Sequence, residues 1–314
     1  MSALESVPVI DIQDYHNPAT KDRFIKELGD AMKYYGFVRV KGHQVDPSIT
    51  GPAYDVATRF FAQQDDIKNN YIVEGGAGQR GFTPYLSESA KGNDKPDLKE
   101  FWHVGRELNA TDRYKKWMPD NLDIPDIKGF KEITNNLFLQ FDQLGNTLLE
   151  AIALYLEQDS RYFHDITNKG NSVMRVIHYP PIEEKEAGER AGAHEDINLI
   201  TLLIGGQQAG LEILSSDNNW LRASVEDNVI ICNVGDMLQR LTNHFLVSTT
   251  HRVTARPEEM KTSRYSIPFF VHPNPDWFIQ TLSTTIDDNN PNRYPEGIYA
   301  EDFLQERLKE IKLM

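Results

Sequence analysis

Apolar and polar positions along the chain fall into two textures that meet near residue 170. Before it, helical spacing dominates. Residues 7–12 predict a short strand, and 22–35 a helix carrying Phe24, Ile25, Leu28, Met32 and Tyr35 on one face. Gly36 stops that helix, and 37–40 is a second strand. A further helix is expected over 52–67 and a strand over 99–104. One long amphipathic helix is expected over 129–156, with Ile133, Leu137, Phe141, Leu144, Leu148 and Ile152 at spacings of three and four. After Gly170 the pattern shortens to apolar stretches punctuated by turns: 173–179, 194–203, 210–214, 220–222, 229–233, 245–253 and 264–271. Many short strands with turn signals between them predict a sandwich or a barrel-like jelly roll. Residues 301–312 close the chain as a charged amphipathic helix.

Composition narrows the class. The chain has 314 residues, enough for a sizeable core, and an ordinary hydrophobic fraction. A formal net charge of −14 without any basic arm argues against nucleic acid or an anionic membrane as partner. No apolar run approaches a membrane span, and residues 1–5 have neither the cationic start nor the apolar stretch of a signal peptide. Cys232 is the single cysteine, which excludes an internal disulfide framework and fits a reducing compartment. A cytoplasmic protein is therefore expected. The pattern carries no signal for oligomeric state.

The stretch with the strongest chemical content is Gly192-Ala193-His194-Glu195-Asp196, which opens the apolar run 197–203. On an extended chain, residues two apart share a face, so His194 and Asp196 converge while Glu195 turns away. An imidazole and a carboxylate placed so are two parts of a metal site. A third ligand from a distant strand would complete the two-histidine, one-carboxylate set that leaves open positions on Fe(II). In 243–253, His251 shares a face with Phe245 and Val247, which suggests that it points inward; His244 would point out. Alone, each of these histidines is more often structural. Arg264 and Ser266 lie two apart on an otherwise apolar strand, where a guanidinium would lack a partner unless an anion supplied one. The glycine-rich 75–81 fits neither a phosphate loop nor a dinucleotide fingerprint. It reads as a surface loop or as a loop lining the site.

Taken in order, His178-Tyr179-Pro180-Pro181, the 192–196 stretch with Thr201-Leu202-Leu203, Asn233-Val234-Gly235-Asp236, His251-Arg252-Val253 and Arg264-Tyr265-Ser266 resemble the isopenicillin N synthase-like family of 2-oxoglutarate and Fe(II)-dependent oxygenases. Val7-Pro8-Val9-Ile10-Asp11 followed by Gly36-Phe37 is similar to that family's non-haem dioxygenase N-terminal region. The resemblance implies a double-stranded β-helix (cupin-like jelly roll) flanked by helices. Its parts would be an N-terminal region at 1–110, a helical scaffold at 111–168, the oxygenase core at 169–280 and a tail at 281–314, packed as one unit. It implies His194, Asp196 and His251 as iron ligands, and Arg264, Ser266 and Tyr179 as the residues that bind 2-oxoglutarate. Ile177 stands where the family commonly has asparagine. The substrate pocket is expected to draw on Phe82, Phe101, His103, Phe269 and Phe270, with an organic small molecule as substrate.

The activity so implied is oxidation, with hydroxylation favoured, of that substrate by O₂, with 2-oxoglutarate converted to succinate and CO₂. The same fold also serves oxidases and oxidative cyclases that need no 2-oxoglutarate. A non-catalytic jelly-roll module with a structural metal would need a fourth protein ligand, which the sequence does not offer. A zinc protease fits least, because His-Glu-Asp-Ile-Asn lacks the second histidine of the helical zinc motif.

Overall fold

The computed structural model describes residues 7–74, 78–89, 96–182, 190–204, 210–222, 226, 228–254 and 259–310. The first half runs β1 (Val9–Asp11), α1 (Gln13–His16), α2 (Lys21–Tyr34), β2 (Phe37–Lys41), α3 (Pro47–Phe61), α4 (Asp65–Asn69), β3 (Gly81–Thr83), β4 (Glu100–Gly105), α5 (Phe130–Tyr155) and α6 (His164–Thr167). The second half contributes β5 (Val173–Tyr179), β6 (Ala191–His194), β7 (Ile200–Ile204), β8 (Leu211–Leu214), β9 (Trp220–Arg222), β10 (Ile230–Val234), α7 (Asp236–Leu241), β11 (His251–Val253) and β12 (Arg264–Val271). A ribbon of β13 (Phe278–Ile279) and β14 (Ile298–Tyr299) precedes α8 (Ala300–Glu310).

Two sheets form the jelly-roll core. The large one has the order β1-β2-β10-β7-β12-β5-β4-β3, the small one β6-β11-β8-β9. Their inner faces meet where Phe37 and Ile231 of the large sheet pack on Leu211 and Ile213 of the small one. They meet again where Phe101, Ile177 and Tyr179 pack on Ala191 and Val253. The outer face of the large sheet is covered by helices, with α5 central. Phe269 of β12 stacks on Phe141 of α5 at 5.4 Å between ring centroids and meets Phe138 edge-on. Trp102 of β4 wedges between Phe60 of α3 and Phe130 of α5. A sheet buried on both faces explains why its strands read as nearly continuous apolar runs.

Period-two alternation then divides each central strand. On β12, Ile267, Phe269 and Val271 enter the helix-side core, whereas Arg264, Ser266 and Phe270 face the small sheet. On β5, Met174 and Val176 go to the helices and Arg175, Ile177 and Tyr179 go inward. This parity corrects the expected pocket. Phe269 lies on the opposite face from Phe270 and is core. Phe82 packs on Phe60 and Phe61 in the same outer core, away from the interior.

Three element boundaries also differ from expectation. The helix expected from Pro52 begins at Pro47, where Asp46 accepts from the Ser48 amide as N-cap, and Pro52 sits inside it. The run 194–203 is not one strand. It ends in the small sheet at His194 and re-forms in the large sheet at Ile200, so the chain crosses between layers at 195–199. Only His251–Val253 of 245–253 is strand, because Asn243 and His244 take left-handed backbone and Leu246, not Phe245 or Val247, is fully buried. Residues 75–77 of the glycine-rich loop, 90–95, 205–209 and 311–312 lie outside the described residues.

Phe141→Ala removes the ring on which β12 rests and should cost about 3–5 kcal/mol of stability. Urea unfolding followed by circular dichroism measures the loss.

Candidate active site

His194 ends β6, and its register partner on β11 is His251. The pairing sets the two rings 4.4 Å apart, centroid to centroid. Each ring is oriented by its own backbone. His194 Nδ1 donates to the Gly192 carbonyl at 2.7 Å, and His251 Nδ1 donates to the Thr249 carbonyl at 3.1 Å. Both Nε2 lone pairs are thereby left for a common point. Asp196 reaches that point from the crossing segment: its Oδ1 lies 3.9 Å from Nε2 of each histidine.

The other carboxylate oxygen is fixed. Oδ2 accepts from the Thr201 hydroxyl at 2.6 Å and from Asn233 Nδ2 at 2.7 Å, two residues on neighbouring strands β7 and β10. The crossing is itself anchored by the Asp236 amide, which donates to the Asp196 carbonyl. A Cβ on Gly235 would stand 2.2 Å from the Asn198 carbonyl, so only glycine fits there.

Electrostatics favour the unprotonated forms of His194 and Asp196. Burial, then the neighbouring His251, pushes His194 down to about 4. Burial alone would raise Asp196, but the two histidines and the bonds from Thr201 and Asn233 outweigh it and hold its carboxyl below the ordinary range. The three donor atoms lie within 4.8 Å of one another, and this is the one such cluster among the described residues. With two nitrogens, one oxygen and no fourth ligand among the described residues, the set suits a metal that keeps open positions.

A cavity runs from this cluster to Arg264. Arg264 is 4% exposed, yet its Nε and Nη1 have no hydrogen-bond partner among the described residues. Tyr179 is its register partner on β5, and the guanidinium lies 4.9 Å from the centre of that ring. Ser266 lines the same cavity. A buried, unpaired cation with a hydroxyl beside it calls for an anion. Ile177 also lines this space and brings no polar group to it.

The second cavity opens from His194 and Asp196 toward β4 and α8. His103 and Phe270 line it. Phe101 does not; it lies beneath the Arg175 guanidinium, in the small cluster between the sheets. His103 is no candidate ligand, since its Nδ1 is taken by the Gly78 carbonyl and its Nε2 by Arg175. Sequence reasoning missed Arg175, although the argument applied to Arg264, a cation inside an apolar strand, applies equally to it. Glu88, Asp97 and Lys99 also line the cavity; Lys99 opens the stretch expected as a strand, whereas Glu88 and Asp97 lie in the polar residues before it.

The jelly roll and this donor set together define a class, the mononuclear non-haem iron oxidoreductases. The family follows from sequence. Residues 7–125 match the non-haem dioxygenase in morphine synthesis N-terminal family, and residues 170–273 match the 2OG-Fe(II) oxygenase superfamily. The chain belongs to the 2OG-Fe(II) oxygenases. A crystal structure of a 2OG-Fe(II) oxygenase family protein from Caulobacter crescentus is 43% identical over 99% of this chain and 100% of that one, with a TM-score of 0.90. A full-length Neurospora crassa protein crystallised in complex with alpha-KG and thymine is 26% identical over 96% of each chain, with a TM-score of 0.85. A 2-oxoglutarate-Fe(II) type oxidoreductase from Aspergillus fumigatus is 28% identical over 96% of this chain and 92% of its own. The protein is accordingly a 2-oxoglutarate-dependent dioxygenase acting on a small molecule, with Fe(II) as its metal.

Burial drives His272, beside the cluster, down to about 4 as well. For His194 and His272 the unfolded chain binds protons below about 6.5 that the folded chain refuses until about 4. The metal-free protein should hold its full stability above that window and lose it as pH falls through it. In His272→Gln the slope should be shallower by up to about 1.4 kcal/mol per pH unit. Urea unfolding at several pH values across the window reads it.

Proposed function

We propose that His194, Asp196 and His251 hold the iron, that Arg264 and Ser266 take the distal carboxylate of 2-oxoglutarate, and that Tyr179 reaches the same cosubstrate. The observation that carries this reading is the orphaned Arg264 guanidinium, buried at the far end of a cavity that begins at the histidine–aspartate cluster. A keto-diacid bridges such a span, with one carboxylate for the cation and an oxygen pair for the metal. When bound, the iron supplies O₂ activation coupled to decarboxylation of 2-oxoglutarate to succinate and CO₂, and to oxidation of a substrate C–H bond.

The protein's own part is geometric and electrostatic. Gly192 and Thr249 carbonyls hold both imidazoles in the tautomer that offers Nε2. Thr201 and Asn233 leave Asp196 one free oxygen. Tyr179 presents its ring to the Arg264 guanidinium, and the apolar residues Phe37, Leu203, Leu211 and Ile231 keep water from the cosubstrate end. The organic substrate enters by the second cavity, and hydroxylation is the favoured outcome.

The cytoplasm is the proposed compartment, supported by the single cysteine, Cys232, which is buried and free. The net charge of −14 supports a reading without nucleic acid or membrane partners. No helix among the described residues is long and apolar enough to cross a membrane.

Anaerobic titration with Fe(II) and 2-oxoglutarate, followed by succinate measurement in air, tests the assignment. His194→Ala should abolish succinate formation; undiminished turnover would refute the ligand set. Arg264→Gln should weaken 2-oxoglutarate binding by about a hundredfold, the scale of truncating a buried charge pair. Unchanged affinity there would favour an oxidase that uses Arg264 for its substrate. Thr201→Val, which frees Asp196 to rotate, should lower iron affinity about 10–100-fold, read by competition with a chelator.

A further inference from the structure

Arg175 sits mid-strand on β5 and lines both cavities, between the metal cluster and the outer opening. Three of its surfaces are committed. Nε donates to His103 Nε2 at 2.6 Å, and Nη1 donates to both oxygens of Glu88 at 3.0 and 3.2 Å. Its Cζ stands 4.1 Å from the centre of the Phe101 ring. Nη2 has no hydrogen bond among the described residues and is not sealed from the cavity. One planar donor edge is therefore held rigidly toward the space beside the metal cluster.

The groups around that edge cancel in charge. Glu88 also takes Lys99 Nζ at 2.6 Å, and Lys99 reaches Asp97 at 2.7 Å. Asp97 in turn accepts from the Gly192 amide at 2.9 Å, two residues before His194, which ties the chain of ions to the strand that carries His194. Two buried carboxylates thus face one ammonium and one guanidinium. His103 is neutral, since burial and then Arg175 hold it well below its ordinary value. The 2-oxoglutarate dianion, Asp196, Arg264 and Fe(II) likewise balance once loaded. Glu195 at the rim accepts from the Thr250 hydroxyl and adds negative charge at the entrance. The apolar part of the wall includes Phe270, Ile197, and Leu304 and Leu308, one turn apart on α8; uncharged polar groups of Gln79, Ser89 and Asn198, and His272, complete the lining.

We propose that the primary substrate is an uncharged small molecule that presents a carbonyl (amide, lactam or ketone) to Nη2 of Arg175 and rests an apolar body on Phe270, Ile197, Leu304 and Leu308. This rests on the cofactor assignment above. A carbonyl satisfies the open edge without bringing charge. A carboxylate would enter an already balanced, buried site as an uncompensated anion beside Glu88 and Asp97. Arg175 selects substrate here, and His103 and Glu88 position it.

Matched probes test the claim on the whole protein loaded anaerobically with Fe(II) and 2-oxoglutarate: benzamide against benzoate, phenylacetamide against phenylacetate, and cyclohexanecarboxamide against cyclohexanecarboxylate. Calorimetry should find the amide bound at least about tenfold tighter than its acid, as expected where an unpaired charge must be buried. Arg175→Gln should erase the preference. Arg175→Lys keeps a cation against Glu88 but withdraws the planar edge, so it should fold normally and also lose amide binding. Tighter binding of the acids, binding of neither class, or an unchanged preference in both variants would each overturn the proposal. A wild-type protein that fails to take up Fe(II) and 2-oxoglutarate before any probe is added would instead refute the assignment on which it rests.

Discussion

One carboxylate bolts the two sheets together. Asp196 sits where the chain leaves β6 and has not yet joined β7, and its Oδ2 is held by Thr201 and Asn233 on two strands of the large sheet. A buried carboxylate must be paired, and these bonds allow only one position for it. The same bonds aim Oδ1 at the pair of imidazoles that the β6–β11 register brings together. Fold and chemistry thus share one constraint: the crossing between layers creates the donor set, and satisfying the donor set's polar atoms fixes the crossing.

The large sheet performs two tasks because its strands are two-faced. Its outer face meets α5 through aromatic contacts such as Phe269 on Phe141 and is core in the ordinary sense. Its inner face carries Arg175, Tyr179, Arg264 and Ser266, with Thr201 and Asn233, among apolar residues. Charged groups there are expensive unless answered, and the two arginines are answered differently. Arg175 is paired by Glu88 within the protein, whereas Arg264 keeps two nitrogens without a partner among the described residues. That contrast supports reading one as the seat of an anion and the other as a neutral hydrogen-bond edge.

Much of this was legible in one dimension. The i,i+2 relation of His194 and Asp196, the charge of Arg264 inside an apolar strand, and the change of texture near residue 170 pointed to the donor cluster, the buried cation and the jelly roll. The errors have a common cause. Assigning Phe269 and Phe270 to one pocket ignored the alternation that puts them on opposite faces. Reading 194–203 as a single strand still brought His194 and Asp196 to one point, but it hid the change of sheet. For 245–253 the inward direction of His251 was right and the reason was not: register with His194 orients it, while Phe245 and Val247 are only partly buried.

Local pattern determined which residues carry charge or a metal-binding atom, where strands and helices lie to within a few positions, and the spacing that makes a pair of ligands possible. Those properties depend on neighbours along the chain. Which face of each strand is interior, which histidine meets His194, and the assembly of Arg175, Glu88, Lys99 and Asp97 into one balanced wall depend on residues far apart in sequence. Hydrogen bonding and burial between such distant segments exist only once the two sheets close, so on the substrate side the sequence offered His103 and Phe270 and the tertiary structure decided the rest.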